Sequence, residues 1–304
     1  MTAATVVVTG GAGFIGRTLV AKLAAEGQRV VVLDNLLQFR DREPPELSAE
    51  LVVGDVRDRG LVLSLLERSR PETVYHLAAI HYIPACEADP AECISVNVAG
   101  TAALLEACSM LTPIPACVLA SSGAVYAPSL DAHREEETPA PIDVYGLSKL
   151  WMEQLAARFA RRHGMPVAVA RLFNTYGPGE TNPHFIPTLL DQVMAGGAIR
   201  VGNIDSRRDY VHVSDVARAL AAMPGRSETL NIGGGRAISG HEVIEAVERA
   251  VGRRLDVQVD ASRVRKVDQP VLLSDSTKAR ELLGWRPEVA FEEGIAELVA
   301  GVRV

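Results

Sequence analysis

The chain has 304 residues, 48% of them hydrophobic and 23% charged, with a formal net charge of -7. That apolar content suffices for a large core in one big domain or two small ones and excludes a disordered chain. A nucleic-acid binder usually carries a basic face, so a pI of about 5.6 argues against a nucleic-acid partner.

The chain opens directly on a strand-like run, Thr5–Thr9, without a basic leader or a small-residue cleavage site. No apolar stretch is expected to reach the ~18 residues of a membrane span. A cytoplasmic protein with no membrane partner is therefore expected. The thiols Cys86, Cys93, Cys108 and Cys117 form no CxxC pair and have no histidines at ligand spacing beside them. Buried, reduced cysteines and no metal are the expectation.

Strand-like and helix-like segments then alternate. Gly16–Glu26 has helical spacing and stops at Gly27; Arg29–Asp34 and Leu51–Gly54 are apolar runs; a helix follows through Leu61–Glu67. Thr73–Ala78 is a fourth strand and Ala91–Ser109 a helix. Ala116–Ser121 is a fifth strand, Asp143–His163 a long helix ending at Gly164, and Pro166–Phe173 a sixth strand. Continuous Val/Leu/Ala runs mark strands buried on both faces, and interposed helices mark right-handed crossovers. The pattern predicts a doubly wound parallel α/β sheet. After Phe173 the rhythm breaks into Pro- and Gly-rich turns, which predicts a smaller α/β C-terminal substrate lobe. The expected division is a sheet domain over 1–174 with 203–235 returning to it, and a lobe made of 175–202 and 236–304.

Strand Thr5–Thr9 runs into Gly10-Gly11-Ala12-Gly13-Phe14-Ile15-Gly16 and then a helix. Glycines there permit a tight turn and close approach to a pyrophosphate, and the helix N-terminus presents free N–H groups to it. Asp34 closes the second strand, where a carboxylate can accept from ribose hydroxyls and repel the extra phosphate of NADP. The pattern predicts a Rossmann dinucleotide site with NAD as cofactor. Asp55, ending the third strand, either caps the next helix or meets the adenine amino group. Leu77, Ala78 and Ala79 are small enough to let the cofactor pass over the sheet edge. Tyr145 and Lys149 are four apart and share a helix face. A tyrosine acting as base near neutrality works far below its free pKa of ~10, and the Lys149 cation together with the positive nicotinamide ring would favour its phenolate. Ser122 at a strand end can hold the reacting hydroxyl.

These motifs, with His76-Leu77-Ala78-Ala79, Ser121-Ser122-Gly123-Ala124-Val125-Tyr126, Tyr145-Gly146-Leu147-Ser148-Lys149, Asn174-Thr175-Tyr176-Gly177-Pro178, Arg208-Asp209-Tyr210-Val211-His212-Val213 and Leu283-Gly284-Trp285-Arg286-Pro287, fall in order. The chain resembles the extended short-chain dehydrogenase/reductase family, in its NAD-dependent nucleotide-sugar epimerase/dehydratase branch. The resemblance implies a catalytic triad of Ser122, Tyr145 and Lys149. It extends the cofactor set to Phe14, Ile15, Asn35, Val56 and Asn97. For the substrate it implies Asn174 at the sugar diphosphate, Arg208 and Arg265 on the pyrophosphate, and Asp268 on the ribose. Arg208 could instead pair with Asp209 or Asp205. His81 and Tyr82 either face the sugar or nicotinamide or simply pack their loop. Val201 stands where family members often stack an aromatic on the base, and His184 and Phe185 lie where a polar group could meet a carboxylate or phosphate. Leu272 aligns with a sugar-pocket gate, and Ala127 replaces a common glycine.

Dehydratases of that family carry an Asp-Glu pair where this chain has Gly123 and Ala124. Neither residue transfers a proton, so elimination and decarboxylation are disfavoured. The expected function is C4 epimerisation of a UDP-hexose, the alternative a nucleotide-sugar 4-ketoreductase. A non-catalytic NAD(P) sensor would not need the intact triad. By resemblance the chain pairs as a homodimer through the helices at 91–109 and 144–163.

Overall fold

The structure, a computed structural model, describes residues 3–41, 43–180, 182–263 and 269–302. The N-terminal half contains β1 (Thr5–Thr9), α1 (Phe14–Ala25), β2 (Arg29–Asp34), β3 (Glu50–Val53), α2 (Arg59–Ser69), β4 (Thr73–His76), α3 (Ile83–Ala88), α4 (Pro90–Ile94), α5 (Gly100–Ser109), β5 (Ala116–Ser122), α6 (Val144–His163) and β6 (Val167–Leu172). There follow β7 (Asn174–Tyr176), α7 (Phe185–Ala195), β8 (Ile199–Val201), β9 (Arg207–His212), α8 (Val213–Ala221), β10 (Thr229–Ile232), β11 (Ala237–Ser239), α9 (Gly240–Val251), β12 (Val257–Val259), β13 (Val271–Leu272), α10 (Thr277–Leu283) and α11 (Phe291–Val302).

The main sheet has seven strands in the order β10-β6-β5-β4-β1-β2-β3, and the pairs from β6 across to β3 are parallel. Residues Val6–Val8, Val30–Leu33, Cys117–Leu119 and Val167–Ala170 are buried, as a sheet covered on both faces requires. This is the expected Rossmann-type α/β fold. The order reverses where β1 lies between β2 and β4, so the carboxyl ends of β1, β4 and β5 open onto the crevice where such sheets bind ligands. The seventh strand, β10, escaped sequence reading because Thr-Leu-Asn-Ile offers only a short mixed run.

Two compact units are present. The first comprises Met1–Ala127, Thr138–Leu172 and Ala217–Leu230; the second comprises Pro128–Glu137, Phe173–Val216 and Asn231–Val304. The first is built on a cluster including Val7, Leu33, Leu66, Leu104, Leu119 and Met152. The second packs Tyr176, Leu189, Ile199, Val243, Phe291 and Ile295 together, with β9 flanked by β11, β13 and β7.

The helix expected over 91–109 is α4, one π turn (Ser95–Ala99), and α5. The expectation about membrane spans needs correction here. Pro90–Ser109 is long and apolar enough to cross a membrane by length and composition alone. Its apolar side chains Leu104, Leu105, Ala107 and Cys108 are spent on the sheet domain's own core, which is why the stretch is apolar.

Candidate functional site

The glycine turn after β1 is shaped by backbone contact. Gly10 adopts φ +70°, and a Cβ there would lie 2.6 Å from the Ala78 nitrogen. A Cβ at Gly16 would run into the Gly10 carbonyl, so the first turn of α1 presses on the glycine turn. No side chain caps α1 at Gly13 and its first turn holds no acid. The N–H groups of Phe14, Ile15 and Gly16 thus present an uncapped, positive helix end. A Cβ at Gly13 would sit 3.2 Å from the Gly10 carbonyl and 3.5 Å from Gln38 Nε2. This cradle suits a pyrophosphate.

Asp34 Oδ2 accepts from the Ala12 N–H at 3.0 Å and Oδ1 from the Leu36 N–H at 2.9 Å. The carboxylate therefore locks the glycine turn to the loop after β2, where Leu36 takes the left-handed φ of 54°. Its remaining lone pairs could accept from ribose hydroxyls. Asn35 accepts from the Leu37 N–H at 3.2 Å and its side chain hydrogen-bonds Asp55. Together these residues fit a dinucleotide, and no base replaces Asn35 to welcome a 2′-phosphate. Asp34→Ala is expected to weaken NAD binding roughly 10- to 100-fold, the worth of charge-assisted hydrogen bonds, and to narrow the preference over NADP. Calorimetric titration with both dinucleotides checks it.

Asp55 does not cap α2. Asp58 does, accepting from the Leu61 N–H at 3.0 Å. The Asp55 carboxylate is taken by Arg57, through its backbone N–H at 2.8 Å, Nε at 2.9 Å and Nη2 at 2.7 Å. The Arg57 hydrogen bond holds the Asp55 carboxyl below the usual carboxylate range. Arg57 in turn meets Glu92 at 2.7 Å. Val56 is buried beside Gly100, where a Cβ would lie 2.7 Å from Val56 Cγ1. β4 ends at His76, so Leu77, Ala78 and Ala79 are half-buried loop residues. Asn97, in the π turn, is 1% exposed. Its Oδ1 accepts from the Ile80 N–H at 2.8 Å, and its Nδ2 donates to the Ile80 carbonyl at 2.9 Å and to Ser148 Oγ at 2.9 Å. Asn97 thus braces the loop after β4. Beyond it, His81 is exposed and Tyr82 half-buried at the start of α3.

The structure brings Ser122, Tyr145 and Lys149 together in the first unit. Asp143 starts α6 by accepting from the Gly146 N–H at 2.7 Å, and Glu87 accepts from the Val144 N–H at 2.8 Å. That fixes the first turn, in which Tyr145 hydrogen-bonds Ser122. Ser122 Oγ also accepts from the Ala124 N–H at 3.1 Å. Lys149 is 4% exposed; its Nζ donates to the Ala120 carbonyl at 2.9 Å and lies 5.8 Å from the Tyr145 ring centroid. Burial pushes the Tyr145 phenol up despite the Ser122 hydrogen bond, with Cys86 and Asp143 adding to the rise. Burial likewise pulls Lys149 down to about 8. Among this chain's own groups desolvation dominates at Tyr145, so the expected phenolate depends on the nicotinamide ring as well as on Lys149.

In the second unit, Asn174 pairs with Tyr210 between β7 and β9. His184 is the N-cap of α7 without a capping side chain, and Phe185 follows it, packing against the unit's apolar cluster. Val201 is 4% exposed within that cluster, so its side chain offers no face on which a base could stack. Arg208 Nη1 donates to the Arg207 and Gln269 carbonyls, both at 2.8 Å. The acids weighed as its partners are otherwise engaged. Asp209 accepts from the Gly234 N–H at 2.6 Å and from Ser274 Oγ at 2.5 Å, and Asp205 meets His241 at 3.2 Å. Arg265 and Asp268 lie outside the described residues.

Sequence reading missed Gln38, Arg57 and Ser148. Ser148 sat in plain view inside Tyr145-x-x-Ser-Lys149; its hydroxyl donates to the Tyr145 carbonyl at 2.7 Å. Gln38 and Arg57 had no signal beyond following Asp34 and Asp55.

The family model of the NAD-dependent epimerase/dehydratase family matches residues 6–233. A UDP-glucose 4-epimerase of Lacticaseibacillus casei is 31% identical, covering 93% of this chain and 92% of its own. Among solved structures, that of a UDP-glucose 4-epimerase of Thermotoga maritima with UDP-glucose is similar at a TM-score of 0.92 and 31% identity, with 98% of each chain covered. MoeE5 in complex with UDP-glucuronic acid and NAD is similar at 0.90 and 32% identity, with 99% of each chain covered.

Proposed function

The chain belongs to the NAD-dependent epimerase/dehydratase family, and from that premise we propose that it inverts C4 of a UDP-hexose through a 4-keto sugar. The carrying observation is the Ser122–Tyr145–Lys149 cluster beside Gly123 and Ala124. Hydride and proton transfer have their side chains there; elimination has neither its acid nor its base. Bound NAD supplies the acceptor and later the donor of the C4 hydride. Tyr145 takes the proton of the 4-hydroxyl and returns it, Ser122 holds that oxygen, and Lys149 stabilises the charge that develops on the phenol oxygen. The same groups serve both directions because a C4 ketone has no stereocentre. UDP-glucose and UDP-glucuronic acid in the similar structures support a UDP-sugar as substrate class. Pairing with a second copy through α5 and α6 goes with this reading; the part-exposed Trp151 on α6 supports it.

Two measurements test the function. Denaturation should release near-stoichiometric NAD(H), and the protein should interconvert UDP-glucose and UDP-galactose without added cofactor. An empty site, with turnover only on feeding NADH or NADPH to a 4-keto sugar nucleotide, would replace the epimerase by the ketoreductase. Lys149 must be cationic to act and sits at about 8, so its charge is full below that pH and lost above it. kcat/KM is expected to fall on the alkaline side with a midpoint near that value, and a pH–rate profile checks this.

A further inference from the structure

Beside the proton-transfer groups lies a buried polar cluster that the reaction above does not use. Arg171 of β6 is 5% exposed, the one buried arginine among the described residues. Its fork meets Glu153 of α6 twice, Nε to Oε1 at 3.0 Å and Nη2 to Oε2 at 2.7 Å. Nη1 donates to the Tyr126 hydroxyl at 2.8 Å, and Ser121 Oγ donates to Glu153 Oε1 at 2.5 Å. Burying an ion pair carries a desolvation cost that two apolar side chains would avoid. Stability alone is therefore a poor reason for it, and its position suggests another.

Glu153 lies one helical turn beyond Lys149 and two beyond Tyr145, on the same face. Ser121 is the neighbour of Ser122 on β5. At the near end of α6, a Cβ on Gly146 would run into the Ala124 carbonyl, so the helix is pressed there against the turn after Ser122. The catalytic face is held between these two points. We propose that Glu153, Arg171 and Ser121 form a positioning clamp that sets the register of α6 against the strand carrying Ser122, and that Glu153 keeps a carboxylate near Lys149. The proposal rests on the reading that Ser122, Tyr145 and Lys149 carry the proton transfer.

Glu153, whose carboxylate is paired with Arg171, is one of several groups that face Lys149. Cys86 of α3 and Cys93 of α4 face the lysine, and burial pushes the Cys86 thiol up, so it stays neutral. His76 of β4 is driven down to about 3, by burial first and Lys149 second, and is neutral too. Tyr145 is a neutral phenol. Asp143 and Glu87 are committed to the N–H groups that open α6, and Arg171 to Glu153. Burial lowers the Lys149 pKa most, and Cys93, Cys86 and then Glu153 act to raise it.

The test uses the purified holoenzyme and the variants Ser121→Ala, Ser121→Thr and Glu153→Gln. Ser121→Ala is expected to lower kcat about tenfold, the scale of a small misplacement, with KM and bound NAD within about twofold. Ser121→Thr keeps the hydroxyl and should restore kcat. In Glu153→Gln the alkaline limb of the pH profile should move to lower pH. The Lys149 midpoint, read by NMR of 13C-labelled lysine and assigned with Lys149→Arg, should fall with it. An unchanged kcat in Ser121→Ala alongside a lower Tm would reduce the cluster to a structural brace and overturn the proposal, as would a Lys149 midpoint that does not move. If the wild-type protein turns over no nucleotide sugar, the function fails by itself, while the NMR midpoint still decides whether Glu153 acts on Lys149.

Discussion

Tyr145→Phe is expected to lower kcat by roughly 10²- to 10⁴-fold, the range of a positioned acid–base group, while the protein keeps its NAD and its fold. The ring is retained, and one hydrogen bond with Ser122 is lost, which costs stability only about 1 kcal/mol. In the proposed reaction the phenol exchanges the proton of the sugar 4-hydroxyl, and Lys149 is already engaged with the Ala120 carbonyl at 2.9 Å. Steady-state kinetics together with the NAD released on denaturation separate the two effects. Turnover above about a tenth of wild type would remove Tyr145 from this role.

Gly10→Ala is expected to strip the protein of NAD and to destabilise it by about 2 kcal/mol or more. The left-handed φ of +70° alone costs a residue with a Cβ about 1–2 kcal/mol. The new Cβ would also meet backbone, the Ala78 nitrogen at 2.6 Å and the Leu77 carbonyl carbon at 2.8 Å, and backbone at a sheet edge cannot rotate away. Either the glycine turn or the 77–79 loop must shift, and both line the crevice. Gly27→Ala is the control. Its φ is +81° but nothing lies within 4 Å of the added Cβ, so it should lose some stability and keep its NAD. Released nicotinamide and thermal melts check both; equal NAD content in the two variants would refute the cradle.

The alternating sheet was legible because buried parallel strands are written as unbroken Val/Leu runs, and Val6–Val8 and Val30–Leu33 are such runs. The glycine turn was legible because its residues answer to backbone geometry, which leaves few substitutes. Asp55 was less so: a carboxylate after a strand looks the same whether it caps a helix or grips an arginine two residues on. The burial around Tyr145 was likewise not legible in the sequence. Spacing puts Lys149 on the same face, but burial is a property of the assembled fold, and it pulls both groups toward their neutral forms. Val201 illustrates the limit of alignment by position: the strand is there, while its side chain points into an apolar cluster.

The π turn at Ser95–Ala99 acts as a one-residue insertion in helical phase. A regular helix advances by about 100° per residue, so the extra residue turns everything after it by that much relative to everything before. Asn97, which braces Ile80 and Ser148, and the apolar stripe of α5, which covers the sheet, belong to two different phases of one rod. Deleting a single residue in this segment would straighten the rod and force a choice between them. Either the stripe stays on the sheet and Asn97 swings off the loop above the crevice, or the brace holds and the core opens.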